Sequence, residues 1–181
     1  MEGAVVVERA ESERDRRVEA LFDRNYSAMC RLAYLIVGDA GVAEEIVMEA
    51  LLKTWSGWSR IRDVEAAEGY LRRAVVNLCR SRIRRKVIEA RVNQAAAGME
   101  ERRPPLWDPE RHETARLVWG AVTRLPPRQK TCVVLRYYED LPEAEIAELM
   151  DCSVGTVKSQ LAKARAKLEV ALRSSTREES A

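Results

Sequence analysis

An all-α fold, made of two small helical domains joined by a flexible linker, follows from three observations on this 181-residue chain. Apolar residues recur with the helical period almost throughout, and no segment alternates strictly enough to propose a strand. Helix-breaking residues are scarce, with 8 glycines and 6 prolines. Pro104, Pro105 and Pro109 fall in one stretch of little periodicity, which reads as a linker. The chain therefore divides into residues 1–92, a linker 93–112, and residues 113–181, the last part carrying a helix-turn-helix.

The first helix is expected from about Glu13 to Val37, with Val18, Leu21, Phe22, Tyr26, Met29, Leu32, Ala33, Ile36 and Val37 as its buried stripe. Gly38-Asp39-Ala40-Gly41 ends it. A second helix, about Val42 to Trp55, turns Ile46, Val47, Ala50, Leu51 and Trp55 inward and leaves Glu44, Glu45, Glu49 and Lys53 outside. Its acidic start suits the helix dipole, so the residues alone are also satisfied by a solvated face.

Aromatic and basic residues interleave in the next loop, with Trp58, Arg60 and Arg62 ahead of Asp63. Such a loop can stack on and hold an unpaired base, although Trp58 would equally serve as a cap on the core. The third helix, about Ala66 to Arg91, packs Tyr70, Leu71, Ala74, Val75, Leu78 and Ile83. It carries Arg72, Arg73, Asn77, Arg80 and Arg84 in a band that can meet a phosphate backbone.

Beyond the linker, a helix from about Glu110 to Leu125 breaks at Pro126-Pro127, and another runs from about Arg128 to Tyr138. Two helices joined by a tight turn then close the domain. Pro142 suits a first helical turn, and Ile146, Leu149 and Met150 form one apolar face. Asp151-Cys152-Ser153 interrupts that face, with Ser153 placed as N-cap of a helix starting at Val154. In this last helix Val154, Val157, Leu161, Ala164 and Leu168 lie on one side, while Thr156, Lys158, Ser159, Gln160, Lys163, Arg165 and Lys167 crowd the rest. A short helix, a three-residue turn and a basic, hydroxyl- and amide-bearing second helix make the geometry that enters the DNA major groove. An amphipathic hairpin with a solvated basic face fits the same spacing.

Net charge is only +2, yet Glu2, Glu8, Glu11, Glu13, Asp15 and Glu19 load the start while residues 60–91 are strongly basic. Distribution, not sum, marks a nucleic-acid surface. Cys30, Cys79, Cys132 and Cys152 form no CxxC pair and read as buried thiols of a reducing cytoplasm. With one histidine, His112, and neither a phosphate-binding glycine loop nor a nucleophile–base pair, no catalytic residue, metal site or cofactor is expected. No leader and no membrane span is expected either, which points to a cytoplasmic protein.

The order Ala43-Glu-Glu-Ile-Val-Met-Glu-Ala-Leu-Leu-Lys-Thr-Trp55, Tyr70-Leu-Arg-Arg-Ala-Val-Val-Asn77, Leu125-Pro-Pro-Arg-Gln-Lys130, Leu135-Arg-Tyr-Tyr138 and Ser153-Val-Gly-Thr-Val-Lys-Ser159 resembles the extracytoplasmic-function (group 4) sigma factors of the bacterial sigma-70 family. In its alanine and arginine richness it looks most like actinobacterial members. The resemblance implies a non-enzymatic initiation factor that binds core RNA polymerase, recognises −35 and −10 promoter elements, and aids strand opening. Residues 1–92 would then be a region 2 domain and residues 113–181 a region 4 domain. Glu45, Met48, Glu49 and Leu52 match the face that docks on the clamp coiled coil of the largest polymerase subunit. The family commonly has Gln at Met48, a departure that trades an expected polar contact for an apolar one.

By the same resemblance Trp58, Arg60, Arg62, Asn77, Arg80 and Arg84 match the −10 reader. Thr156, Lys158, Ser159, Gln160, Ala162, Lys163 and Arg165 match the −35 reader, with Gln160 standing where Arg is frequent. The flap region of the second largest subunit, promoter DNA and an anti-sigma protein are the further partners implied.

Overall fold

Helix-forming sequence with few breaks becomes helix over most of the chain. The computed structural model describes residues 2–58, 61, 63–92 and 113–178. These fall into two compact units, Met1–Arg102 and Arg103–Ala181, and no strand occurs among the described residues. The expected linker, 93–112, lies outside them.

In the first unit α1 spans Glu2–Val37, α2 Ala40–Ser56 and α3 Val64–Val92. The helix α1 starts earlier than its apolar stripe suggests. It stops at Gly38, whose φ of +82° only glycine adopts readily. Asp39 then caps α2, its carboxylate accepting the Val42 N–H at 2.8 Å. Asp63 does the same for α3, accepting the Ala66 N–H at 2.7 Å.

The three helices pack mutually around Leu21, Leu32 and Ile36 of α1, Val47 of α2, and Leu71, Val75 and Val76 of α3, all essentially without solvent contact. Burying each such side chain contributes about 1.5–3 kcal/mol. Several expectations for this unit are corrected: Val18, Phe22, Tyr26 and Val37 of the α1 stripe and Ala74 and Ile83 of the α3 stripe are only half-buried. Trp55 and Tyr70, placed inward by periodicity, are 40% and 43% exposed, since each has a polar tip that a dry core would leave unpaired. Ala67, outside the expected stripe, is buried.

The second unit holds α4 (Glu113–Thr123), α5 (Pro127–Val133), α6 (Glu143–Met150) and α7 (Val154–Glu178). The helix expected through Tyr138 changes to a π-helical turn over Val134–Tyr138, closed by Glu139 N–H to Val134 O at 3.2 Å. Asp140, with φ of 51°, turns the chain toward α6. Arg136 secures that corner by donating to Leu141 O at 2.9 Å. Pro142 is the N-cap of α6 and not part of its first turn.

Helices α4, α5 and α6 all pack on α7, burying Leu135, Ile146, Val157, Leu161 and Ala164. Val154 is the exception on the α7 stripe: it is exposed, standing at the helix start before α7 enters the core. Cys79 and Cys132 are buried as expected, whereas Cys30 and Cys152 are half-buried, and all four thiols are free. No helix among the described residues is long and apolar enough to cross a membrane.

Candidate nucleic-acid interface

Helix α7 is aimed by the turn before it. Asp151 takes the left-handed conformation at φ 50°, a cost that aspartate tolerates better than most residues. The turn then closes with Cys152 N–H to Ala147 O at 3.0 Å. Ser153 Oγ accepts the Thr156 N–H at 3.1 Å, as its N-cap reading required, and lies 2.9 Å from Thr156 Oγ1.

With Val157, Leu161 and Ala164 buried, helical geometry directs Lys158, Ser159, Ala162, Lys163 and Arg165 to solvent, and all five are exposed. Thr156 and Gln160 occupy the shoulders of the buried stripe and are half-buried. Lys158 Nζ lies 3.9 Å from Glu143 Oε2, an exposed pair that leaves the ammonium available to another acceptor. This surface offers hydroxyl, amide and ammonium groups on a rigid rod, the equipment for base edges and phosphates.

The first unit presents a different surface. On α3, residues Arg73, Asn77, Arg80 and Arg84 recur at helical spacing as one stripe, with Arg80 Nη1 donating to Asn77 Oδ1 at 3.4 Å. Arg80 is half-buried while Arg73, Asn77 and Arg84 are exposed. Beside the stripe runs a groove of about 260 Å³ lined by Lys53, Tyr70, Arg73, Ala74, Asn77, Leu78 and Ser81.

Trp58 follows Gly57 beyond the end of α2 and is half-buried, its carbonyl accepting the Ile61 N–H at 3.0 Å. Tyr70 reaches the same corner: a Cβ placed on Gly57 would lie 3.4 Å from Tyr70 Oη. Cations, a phenol and an amide thus line one groove, the equipment to hold a base and its phosphate. Arg60 and Arg62 lie outside the described residues. Sequence periodicity assigned Tyr70 to the core and so missed it here; its hydroxyl was the signal against deep burial.

A third feature lies on α2. Glu45, Met48, Glu49 and Leu52 share one exposed face, with Met48 47% and Leu52 61% exposed. Trp55 extends that stripe by one turn. Glu45 meets Arg82 of α3 at 3.5 Å, and Glu49 meets Lys53 at 2.8 Å. Exposed apolar side chains rimmed by carboxylates are the make-up of a protein-binding patch.

The thiols do not point to covalent chemistry. Burial pushes Cys132 up to about 11, and burial also raises Cys30, so both stay protonated and poorly nucleophilic at neutral pH. No group of metal-ligating side chains occurs among the described residues.

Residues 21–87 match the family model for sigma-70 region 2, and residues 115–168 match that for sigma-70 region 4. The RNA polymerase sigma-E factor of Streptomyces coelicolor is 34% identical over 143 residues, covering 78% of this chain and 77% of that protein. The ECF RNA polymerase sigma factor SigM of Mycobacterium tuberculosis is 33% identical over 150 residues, covering 83% of this chain and 74% of that protein. Among solved structures, the sigma factor RpoE of Bartonella quintana, seen in complex with the anti-sigma factor NepR, superposes with a TM-score of 0.69 at 18% identity. That match covers 86% of this chain and 96% of the other, a likeness of fold.

Proposed function

This chain belongs to the sigma-70 family, among its extracytoplasmic-function members, and from that premise we propose how its surfaces share the work of a sigma factor. A sigma factor binds core RNA polymerase and directs promoter-specific initiation. The exposed face Glu45, Met48, Glu49 and Leu52 is the part of α2 that docks on the clamp coiled coil. Two apolar side chains supply buried area there, and two carboxylates supply orientation. Residues 113–181 are the domain that reads the −35 element as closed duplex. Thr156, Lys158, Ser159, Gln160 and Ala162 face base edges, and Lys163 and Arg165 face phosphates.

Residues 1–92 carry the −10 reader. Asn77, Arg80 and Arg84 hold the duplex edge while Trp58, flanked in sequence by Arg60 and Arg62, receives a base turned out of the opened strand. Unstacking costs a few kcal/mol. Stacking contributes about 1–3 kcal/mol per base, so the aromatic and the cations together can hold a strand open without ATP. The role is that of an initiation factor rather than an enzyme, exercised in the cytoplasm where polymerase and promoter meet. An anti-sigma protein, as in the RpoE–NepR complex, is a partner in keeping with the family.

The observation that carries this division is the basic stripe of α3 with the aromatic Trp58 ahead of it in sequence, which a ligand sensor or a dimerisation domain would not need. Run-off transcription with sigma-free core polymerase and genomic fragments tests it. Defined start sites are expected, and failure to co-elute with core polymerase overturns it.

A further inference from the structure

The last turn of α2 delivers Trp58, and it is held from two sides. On one side is Gly57, the C-cap, whose N–H bonds Lys53 O at 3.0 Å. A side chain there would press on Lys53 O at 3.2 Å and Tyr70 Oη at 3.4 Å. Gly57 has φ −91°, which any residue adopts, so what a side chain there would meet is the close approach of Lys53 O. On the other side Trp55 Nε1 donates to Asp15 Oδ1 at 2.9 Å.

Trp55 stands one residue before the end of α2 and nearly one turn before Trp58. Asp15 lies well ahead of Leu21, which the core buries completely. Exposed positions follow it on α1, including Arg16, Arg17 and Glu19. This segment of α1 therefore reaches past the packed core and meets α2 where helix ends ordinarily fray.

We propose that Asp15 is a positioning residue for strand opening: by holding the Trp55 indole it keeps the final turn of α2 formed, and so presents Trp58 to the displaced base. The assignment rests on the role given to Trp58 above. It makes the early part of α1, outside the region 2 match that begins at residue 21, a functional strut for the −10 reader.

Opening is measured with the full chain bound to core polymerase, by permanganate reactivity over time at a promoter that the holoenzyme uses. Affinities for core polymerase and for a duplex −35 fragment are measured in parallel. Asp15→Ala should slow opening about fivefold, the factor one net hydrogen bond carries, with both affinities unchanged. Trp55→Phe, which keeps the ring body and loses the donor, should slow opening by the same factor with −35 affinity unchanged. Both side chains have further interactions, so the coupling is read from the double variant, which should be no slower than either single one. Asp15→Asn retains an acceptor oxygen and should open at the parental rate.

Parental opening by Asp15→Ala beside slow opening by Trp58→Ala overturns the positioning role and leaves the Trp58 assignment standing. Normal opening by Trp58→Ala overturns both. Slowing by Asp15→Asn equal to that of Asp15→Ala, or equal loss of −35 binding, also overturns it.

Discussion

The surface proposed to read the −35 element is a single helix, whereas the one proposed for the −10 element is assembled from the end of α2, one corner and a stripe of α3. In α7 the reading residues share one rod, locked below by Val157, Leu161 and Ala164 and at its start by Ser153. Around Trp58, by contrast, Gly57, Tyr70 and Asp15 each come from a different element, and the aromatic is only half-buried. A duplex is an ordered target and rewards a rigid template. An unpaired base has to be captured as it leaves the stack, which calls for stacking area next to cations.

Substitutions can break this contrast, and the core of the rod comes first. Leu161→Ala should destabilise the second unit by about 2–5 kcal/mol, seen in urea unfolding. It should abolish −35 fragment binding while transcription from a template already mismatched open at −10 persists. Equal loss on both templates would mean that the two surfaces do not act separately.

Lys158→Ala should cost about 1–3 kcal/mol of discrimination at one −35 base pair, measured by binding to a panel of singly substituted duplexes. Uniform weakening across the panel would move Lys158 to the phosphates. Trp58→Ala should cost about 1–3 kcal/mol of strand capture, read in permanganate footprints. Its −35 duplex binding should stay at the parental value, and a matching loss there would remove the distinction between the surfaces. Smallest of all, Ser153→Ala should lower unit stability by about 0.5–2 kcal/mol, with −35 affinity falling in step as the first turn of α7 frays.

The two surfaces were also unequally legible. The outward face of α7 could be taken from spacing because each of its constraints is local: the serine cap, the apolar stripe and the basic outer residues all lie within a few turns. The −10 surface could not. Arg72, Arg73, Asn77, Arg80 and Arg84 were visible as a band. Tyr70 was counted as core, and nothing in the spacing joined Asp15 to Trp55 across forty positions. Likewise the π-helical turn at Val134–Tyr138 has no compositional mark.

Local interactions act over one to four residues, so helix content, the breaks at Gly38 and Pro126, and the cap of the recognition helix were determined by sequence alone. Tertiary structure decided which aromatic residues on an apolar stripe stay wet and which distant side chains meet. A periodic stripe is wider than the face a neighbouring helix covers, and only packing selects the part that is buried. Trp55 and Tyr70 lie in the uncovered part, and there their polar tips find Asp15 and the Gly57 corner.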